Sequence, residues 1–245
     1  MNKTIEIIKN HRSIRNYLDK DVSDVMLQEI LQAAISMPTS INGQQISIIV
    51  IKDKDKKATI AKLAGDQPWI SQAPVFLVFV ADFYKAYLAG EKNEEKEILH
   101  ESIEGTMVGT FDAGLAMGAA IIAAESLGLG IVPIGAVRKN PDEMIKLLEL
   151  PRYTYPLVGL VVGYPADASA QKPRLPYEAI VHIETYQKDG LIAAIDQYDD
   201  VMAKYYRERG DKDSNWSKQV ANAYKQVYFP EVYPTTKKQG FKNNK

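Results

Sequence analysis

The segment His11-Arg12-Ser13-Ile14-Arg15 places several polar groups close together near the start of the chain. In an extended chain alternate side chains point the same way, so His11, Ser13 and Arg15 would share one side. An imidazole, a hydroxyl and a guanidinium on one side suit a phosphate or another oxyanion, which arginine can bind bidentately. The alternative is a surface ion-pair cluster at a helix end, and the motif alone favours neither interpretation.

A second pair of cations, Lys172 and Arg174, flanks Pro173. Proline restricts its own φ and biases the preceding residue toward an extended conformation, so the two cations lie on a stiff tether. Such a pair is more often a solvated basic turn. Because the chain has 30 basic and 31 acidic residues, two stiff basic clusters nevertheless favour one shared anion.

Three further segments could contact a flat ligand. The loop 38–45, PTSINGQQ, is dense in amides and hydroxyls that could bind the edge of a heterocycle, although an ordinary turn is locally the stronger interpretation. The same two interpretations apply to Gln67, in the sequence GDQP. The segment 128–135, GLGIVPIG, follows a helix and not a strand, which excludes a Rossmann fingerprint, but Gly135 beside Ala136 could let a backbone amide approach a ligand.

Composition excludes several classes of chemistry. The chain has 245 residues and no cysteine, so a thiolate nucleophile, an iron–sulfur cluster and a cysteine zinc site are excluded. Its three histidines, His11, His100 and His182, are far apart, and we expect no metal centre. Patterns typical of serine hydrolases, zinc proteases and P-loop proteins are absent. A net charge of −1 argues against nucleic-acid binding.

Runs of β-branched and aromatic residues predict buried strands at 46–51, 75–81 and 155–163, and 130–137 is either a short strand or a loop. Helical patterns are predicted in 4–9, from Ser23 to before Met37, and in 53–63, 102–127, 141–148 and 191–209. Interleaved helices and strands indicate an α/β or α+β class with a covered sheet. The charged stretch 91–101 is expected to be solvated, and the Lys-rich end is expected to fray.

The beginning of the chain has no long apolar run, and the run Leu115–Ala124 is too short to span a bilayer. We therefore expect no membrane partner. The absence of cysteine fits a reducing cytoplasm, and we expect a cytoplasmic location.

The ordered set of HRSIR, AAESLGLG at 123–130, KPRLP at 172–176 and YYRERG at 205–210 resembles the nitroreductase/flavin reductase superfamily. The group it resembles most includes oxygen-insensitive NADPH nitroreductases and NADPH-dependent FMN oxidoreductases. The resemblance implies an α+β, nitroreductase-like fold with a mostly antiparallel central sheet flanked by helices, working as an intertwined homodimer. Residues 1–245 would form one FMN-dependent domain, with about 190–245 as a C-terminal helical extension.

The same resemblance implies FMN as cofactor and NADPH, or NADH, as electron donor. The expected FMN-binding residues are His11, Arg12, Ser13, Arg15, Thr39, Ser40, Ile41, Asn42, Gln67, Ile134, Gly135, Ala136, Lys172 and Arg174. Residues 39–42 would approach the flavin of the other subunit, and Arg15 would stabilise the reduced flavin. Arg209 matches a position linked to the NADPH 2′-phosphate, but Asp211 and Asp213 follow it, and these acids should weaken such a site.

The implied reaction is ping-pong hydride transfer from NAD(P)H through FMN to nitroaromatics, free flavins or quinones, with the cofactor carrying the chemistry. Two alternatives remain. One is a flavin-binding redox sensor with little turnover, and the other is a superfamily member with another FMN reaction.

Overall fold

The structure, a computed structural model, describes residues 2–211 and 213–245. A four-stranded sheet lies at its centre, in the order β1-β2-β4-β3, with every pairing antiparallel. The strands are β1 (Ile46–Ile51), β2 (Val75–Asp82), β3 (Gly130–Ile134) and β4 (Thr154–Gly163). The antiparallel pairing confirms the α+β prediction, and β3 shows that the ambiguous segment 130–137 begins as a strand.

Helices precede, follow and connect these strands. Their bounds are α1 (Lys3–Lys9), α2 (Asp24–Ile35), α3 (Lys54–Leu63), α4 (Pro68–Gln72), α5 (Tyr84–Lys92), α6 (Ile103–Ser126), α7 (Pro141–Leu147), α8 (Leu191–Glu208), α9 (Trp216–Ala223) and α10 (Val232–Lys238). The predicted N-cap of α2 is confirmed, since the Ser23 side chain accepts a hydrogen bond from the Met26 amide at 3.3 Å. The sequence patterns did not indicate α4, α5, α9 or α10.

The two faces of the sheet have separate hydrophobic clusters. Alternation along β2 sends Val75, Leu77 and Phe79 to one cluster, which contains buried residues of α2 and α6. Phe76, Val78 and Val80 belong to the other cluster, with buried residues of α3, α4 and α7. The sheet is therefore the middle of three layers, and all eight residues of β2 are buried.

Helix α6 is long and apolar enough to cross a membrane by length and composition, and within the described chain no other helix is. Its alanines at 113, 116, 120 and 124 recur at helical spacing and are buried in the cluster on the sheet. A core helix of this kind meets the same length and hydropathy test. Length and hydropathy therefore do not make α6 a membrane span.

The expectation of a frayed C-terminus was wrong. Phe241 is buried and packs edge-on against Phe83, with ring centroids 5.9 Å apart. The Gln239 side-chain amide donates to the carbonyls of Pro151 and Thr154, both at 3.0 Å. The lysines that suggested a solvated tail instead lie beside one buried aromatic anchor, which holds the segment to the core.

Ion pairs at Glu101 also hold this tail, and they predict a pH-dependent stability. Lys242 and Lys245 hydrogen-bond to the Glu101 carboxylate and lower its pKa from 4.5 to about 2. Because the folded pKa lies below the unfolded one, the stabilisation is complete above the unfolded pKa and disappears as the pH falls toward 2. Glu101→Gln should lower the Tm near neutral pH by on the order of 1–3 °C.

Thermal unfolding of wild type and Glu101→Gln between about pH 7 and pH 2 measures this difference. The two melting curves should converge as the pH falls below about 4. Glu29→Gln, an exposed acid on α2 outside this cluster, is the control and should show no such convergence. A Tm difference that is constant across the titration would contradict the assignment.

The charged stretch 91–101 is only partly solvated as expected. Most of its residues are exposed, but His100 is buried against the ring of Tyr153 at a centroid distance of 4.3 Å and pairs with Glu97. One of the three histidines therefore has a structural role.

The chain divides into two compact units. The first comprises residues up to Ser169 together with Phe229–Lys245, and the second is Ala170–Tyr228. In the second unit α8 and α9 are joined by the Asp199 carboxylate, which accepts from the Ser217 amide at 2.8 Å. The assignment of residues 1–245 to one domain stays a prediction.

Candidate functional site

The segment 11–15 is extended and lies beside β3. The Ile14 amide donates to the Ile131 carbonyl at 2.9 Å, and Ser13 and Ile131 form a parallel bridge. The Ile14 side chain is buried in the core, and the Tyr17 hydroxyl donates to the Ile14 carbonyl at 2.7 Å. Because Ile14 faces the core, an extended chain turns Ser13 and Arg15 to the opposite side, as the sequence predicted.

The arginines of this segment have no acidic partner among the described residues. Arg15 lies over the ring of Trp69, 5.8 Å from its centroid, and Arg12 donates only to the Asn10 carbonyl, at 3.3 Å. Neither forms an ion pair within the described chain. The alternative of a surface ion-pair cluster therefore fails for both arginines, and their charges are available to an external anion.

His11 differs from its neighbours because it does have an acidic partner. Its Nδ1 lies 2.7 Å from Oε1 of Glu125, in the last turn of α6. The side chains are 26% and 13% exposed. Glu125 also lines a cavity of about 400 Å³ together with Arg12. Helix α6 therefore positions the beginning of the predicted anion-binding segment.

Helix α4 and the residue before it carry two polar side chains, and one of them, Trp69, contacts Arg15. Gln67 precedes the helix, and its side-chain nitrogen donates to the Ala64 carbonyl at 2.8 Å, which leaves the side-chain oxygen available. Trp69 lies under Arg15, and its indole nitrogen is buried without a partner among the described residues. The sequence patterns did not point to Trp69. A signal was available, because the chain has only two tryptophans and Trp69 directly follows Pro68, a proline that begins a helix.

The predicted residues 134–136 lie at the end of β3, which Ile134 closes, and at the start of the turn that follows it. Ile134 is buried, and Gly135 opens a short 3₁₀ turn that ends at Arg138. A Cβ on Gly135 would meet only the end of the Arg138 side chain, at 3.5 Å, so space remains beside this backbone. Because β3 also pairs with Ser13, one strand connects this turn to the segment 11–15.

The loop 38–45 is held by Asp112, which is buried in α6. Its carboxylate accepts from the Ser40 amide at 3.1 Å and from the Gln45 side chain at 2.5 Å. Ile41 at the tip is 94% exposed with φ +50°, an uncommon conformation for a β-branched residue. Thr39 accepts from the Gln44 amide, and Asn42 also has a positive φ.

Helix α6 separates this loop from the segment 11–15 of the same chain. Asp112 and Glu125, which hold the two segments, are thirteen residues apart on one helix, or about 20 Å along its axis. Within one chain the structure therefore brings residues 11–15, 67 and 134–136 toward one region and attaches residues 39–42 elsewhere.

The remaining predicted residues lie in the second unit. Arg174 donates to the Lys172 carbonyl at 3.1 Å, and the Lys172 ammonium lies 5.5 Å from the ring centroid of Tyr206 on α8. The Tyr198 hydroxyl, also on α8, donates to the Pro173 carbonyl at 2.8 Å. Like the arginines at 12 and 15, Lys172 and Arg174 form no ion pair with a described residue.

Arg209 follows the last turn of α8, and its guanidinium lies 5.4 Å from the ring centroid of Tyr205. Asp211 and Asp213 come shortly after it, as the sequence indicates, and Lys212 between them lies outside the described residues. The role of Arg209 in binding the nucleotide stays a prediction.

These features define an α+β protein with an antiparallel sheet and a set of cations that form no ion pair within the part of the chain that the structure describes. The family model described as "Nitroreductase family" matches residues 8–164, and "Nitroreductase family, C-terminal domain" matches residues 172–244. The chain belongs to the nitroreductase family.

Named relatives match this chain over 98% or more of its length. It is 51% identical, over the full length of both chains, to a Bacillus subtilis protein named FMN reductase [NAD(P)H]. It is 36% identical to the oxygen-insensitive NADPH nitroreductase of Salmonella typhimurium, with 98% of this chain and 99% of the relative covered. The NADPH:FMN oxidoreductase of Vibrio harveyi, solved in complex with NAD⁺, has a TM-score of 0.91 at 31% identity, covering 99% of this chain and all of that one.

Proposed function

We propose that this protein is an FMN-dependent NAD(P)H oxidoreductase that passes two electrons to small acceptors such as nitroaromatics, free flavins or quinones. The observation that carries the proposal is the extended segment 11–15 beside β3, in which neither Arg12 nor Arg15 has an acidic partner among the described residues. FMN has a phosphate and a polar pyrimidine edge, so this donor set fits it. The names of the relatives at 51% and 36% identity support the same activity.

Individual roles follow from the chemistry of each group. Arg15 lies over Trp69, which follows Gln67 by two residues, so we assign Arg15 and Gln67 to the pyrimidine edge of the flavin. His11, Arg12 and Ser13 are assigned to the ribityl chain and the phosphate. Lys172 and Arg174 are assigned to the phosphate on their charge and stiff tether alone. Ile134, Gly135 and Ala136 would lie along the flavin ring, where space beside Gly135 permits close backbone approach.

FMN, when bound, supplies the two-electron chemistry, accepting a hydride from NAD(P)H and giving it to the acceptor. The chain's own residues bind and orient it. A positive charge at Arg15 would favour the reduced, anionic form of the cofactor, and water at an open site would supply the protons without a side-chain donor. Small molecules that can stack against the bound flavin would serve as acceptors.

NADPH is the first choice of donor because Arg209 can bind a 2′-phosphate. Asp211 and Asp213 nearby reduce that preference by repelling the same phosphate, so NADH is the second choice. Such soluble donors and the absence of cysteine agree with the proposed cytoplasmic location.

The proposed active form is a homodimer. Ile103, Met107 and Phe111 recur every four residues on α6, and Met107 and Phe111 are 61% and 66% exposed. A Cβ on Gly114 or Gly118, farther along the helix, would meet nothing within 4 Å. An apolar stripe of this length on a soluble protein suits a second copy of the chain. A second copy would also bring residues 39–42 to the proposed flavin site, because in their own chain the tethers of this loop and of the segment 11–15, Asp112 and Glu125, are about 20 Å apart along α6.

Phe111→Arg should convert the dimer into monomers, because a buried guanidinium without a partner opposes association. Sedimentation velocity should show the loss of the dimer, and FMN affinity should fall with it. Val25→Arg is the matched control, since Val25 is 71% exposed on α2, away from this stripe. A dimer that survives Phe111→Arg would contradict this interface.

The visible absorbance of bound FMN tests the proposed function. The purified protein, alone or after addition of FMN, should be yellow, and NADPH or NADH should bleach it under anaerobic conditions. Flavins, quinones or nitroaromatics should then restore the colour with multiple turnovers. A colourless protein that FMN cannot reconstitute would refute the proposal, and bleaching without reoxidation would favour the redox sensor.

A further inference from the structure

Glu125 is the acid that contacts His11, and the two residues are 114 positions apart in the chain. Its Oε1 lies 2.7 Å from His11 Nδ1, and its Oε2 is buried without a hydrogen-bond partner among the described residues. No hydrogen bond to His11 Nε2 is formed by the described residues. The histidine ring therefore has one nitrogen committed to the protein and one available.

We propose that Glu125 is a positioning residue, which holds His11 with its Nδ1 proton directed at the carboxylate and leaves Nε2 to contact FMN. This inference rests on the proposed function. An ionised carboxylate can only accept, so Nδ1 must be the donor in this contact. Nε2 then accepts from a ribityl hydroxyl when the ring is neutral, or donates to a phosphate oxygen when the ring is charged.

Fold stability alone does not explain a glutamate at this position. The last turn of a helix carries the negative end of its dipole, which disfavours a carboxylate. A buried oxygen without a partner adds a desolvation cost. The ion pair with His11 is mostly buried, and its own desolvation offsets much of its Coulombic gain, so it compensates little of either cost. A carboxylate placed against these two costs, with little gained in return, is explained by what it does to His11.

The position of His11 in the chain means that its contact with Glu125 orients the ring at one end of the segment 11–15. His11 lies two residues before Ser13, whose bridge to Ile131 attaches the segment to β3. Glu125 thus attaches the other end of the same segment to α6. The ring is oriented from the helix while the backbone is held by the strand, so the direction of Nε2 is determined before a ligand binds.

A double-mutant cycle on the full-length protein tests the role of Glu125 in FMN binding. Glu125→Ala should raise the FMN Kd about tenfold in the wild-type background. In the His11→Ala background the same change should have little further effect, because Glu125 acts through the ring. Ser126→Ala is the control, since this neighbouring hydroxyl donates only to the Ala123 carbonyl, and it should leave the Kd unchanged.

The tautomer gives an independent readout. With three histidines in the sequence, ¹⁵N-histidine labelling gives few signals, and His11→Ala assigns the one of interest. In wild type without FMN, the neutral His11 ring should carry its proton on Nδ1, and Glu125→Ala should move it toward Nε2. A wild-type ring protonated on Nε2, or an equal Kd increase in both backgrounds, would overturn the role of Glu125. Wild-type protein that binds no FMN would instead overturn the proposed function.

Discussion

Arg15→Ala is expected to raise the Kd for FMN about 10- to 100-fold, the effect of removing a charge-assisted hydrogen bond. The midpoint potential of the bound flavin should become more negative by tens of millivolts, because a nearby cation stabilises the reduced, anionic form. Fluorescence titration measures the Kd, and a spectroelectrochemical titration measures the potential. Both readouts are independent of turnover.

Two controls separate charge from geometry. Arg15→Lys keeps the charge and loses the planar fork, so the potential should shift less than the affinity. Arg152→Ala removes another arginine that lies over an aromatic ring, 5.3 Å from the Tyr153 centroid, and should change neither quantity. An unchanged Kd and potential in Arg15→Ala would exclude this guanidinium from the flavin site.

Gly130→Ala is expected to lower both stability and FMN affinity. A Cβ on Gly130 would lie 2.6 Å from Cγ1 and 2.9 Å from Cβ of Ile14, closer than carbon atoms pack. Ile14 is stiff at χ1, and its amide is bound to Ile131, so the segment 11–15 must move as a whole. We expect a loss of about 1–3 kcal/mol in the free energy of unfolding, as for overpacked cores.

Denaturant unfolding and FMN titration of the same variant measure the two effects. Ile14→Ala destabilises by itself through a cavity, but it removes much of the clash. The double variant should therefore lose less stability than the sum of the two single variants. Strict additivity would show that Gly130 does not act through Ile14.

The candidate site illustrates which contacts local sequence can predict. The alternation of His11, Ser13 and Arg15 needs only an extended backbone, and the structure has one there. The tethers at Asp112 and Glu125 needed tertiary information, since each acid contacts residues more than 60 positions away. A signal was present, however, because these two acids are the only charged residues within the long apolar stretch 105–137.

The C-terminal tail is a case in which composition led to a wrong prediction. Its composition, with several lysines and asparagines, is typical of a solvated end, and composition averages over residues. One residue, Phe241, determined the outcome by entering a pocket formed with Phe83 and Tyr155. A single aromatic anchor has no periodicity, so a pattern-based prediction has nothing to detect.

The sequence by itself determined the strands, the main helices and the cation clusters, because apolar periodicity, capping residues and charge are local properties. The tertiary structure decided the sheet order β1-β2-β4-β3, the burial of the tail, and the separation along α6 of the loop at 39–42 from the segment 11–15. These features depend on pairs of residues far apart in the chain. Their energies arise only when backbone pairing and side-chain packing are satisfied together, and no local pattern encodes that condition.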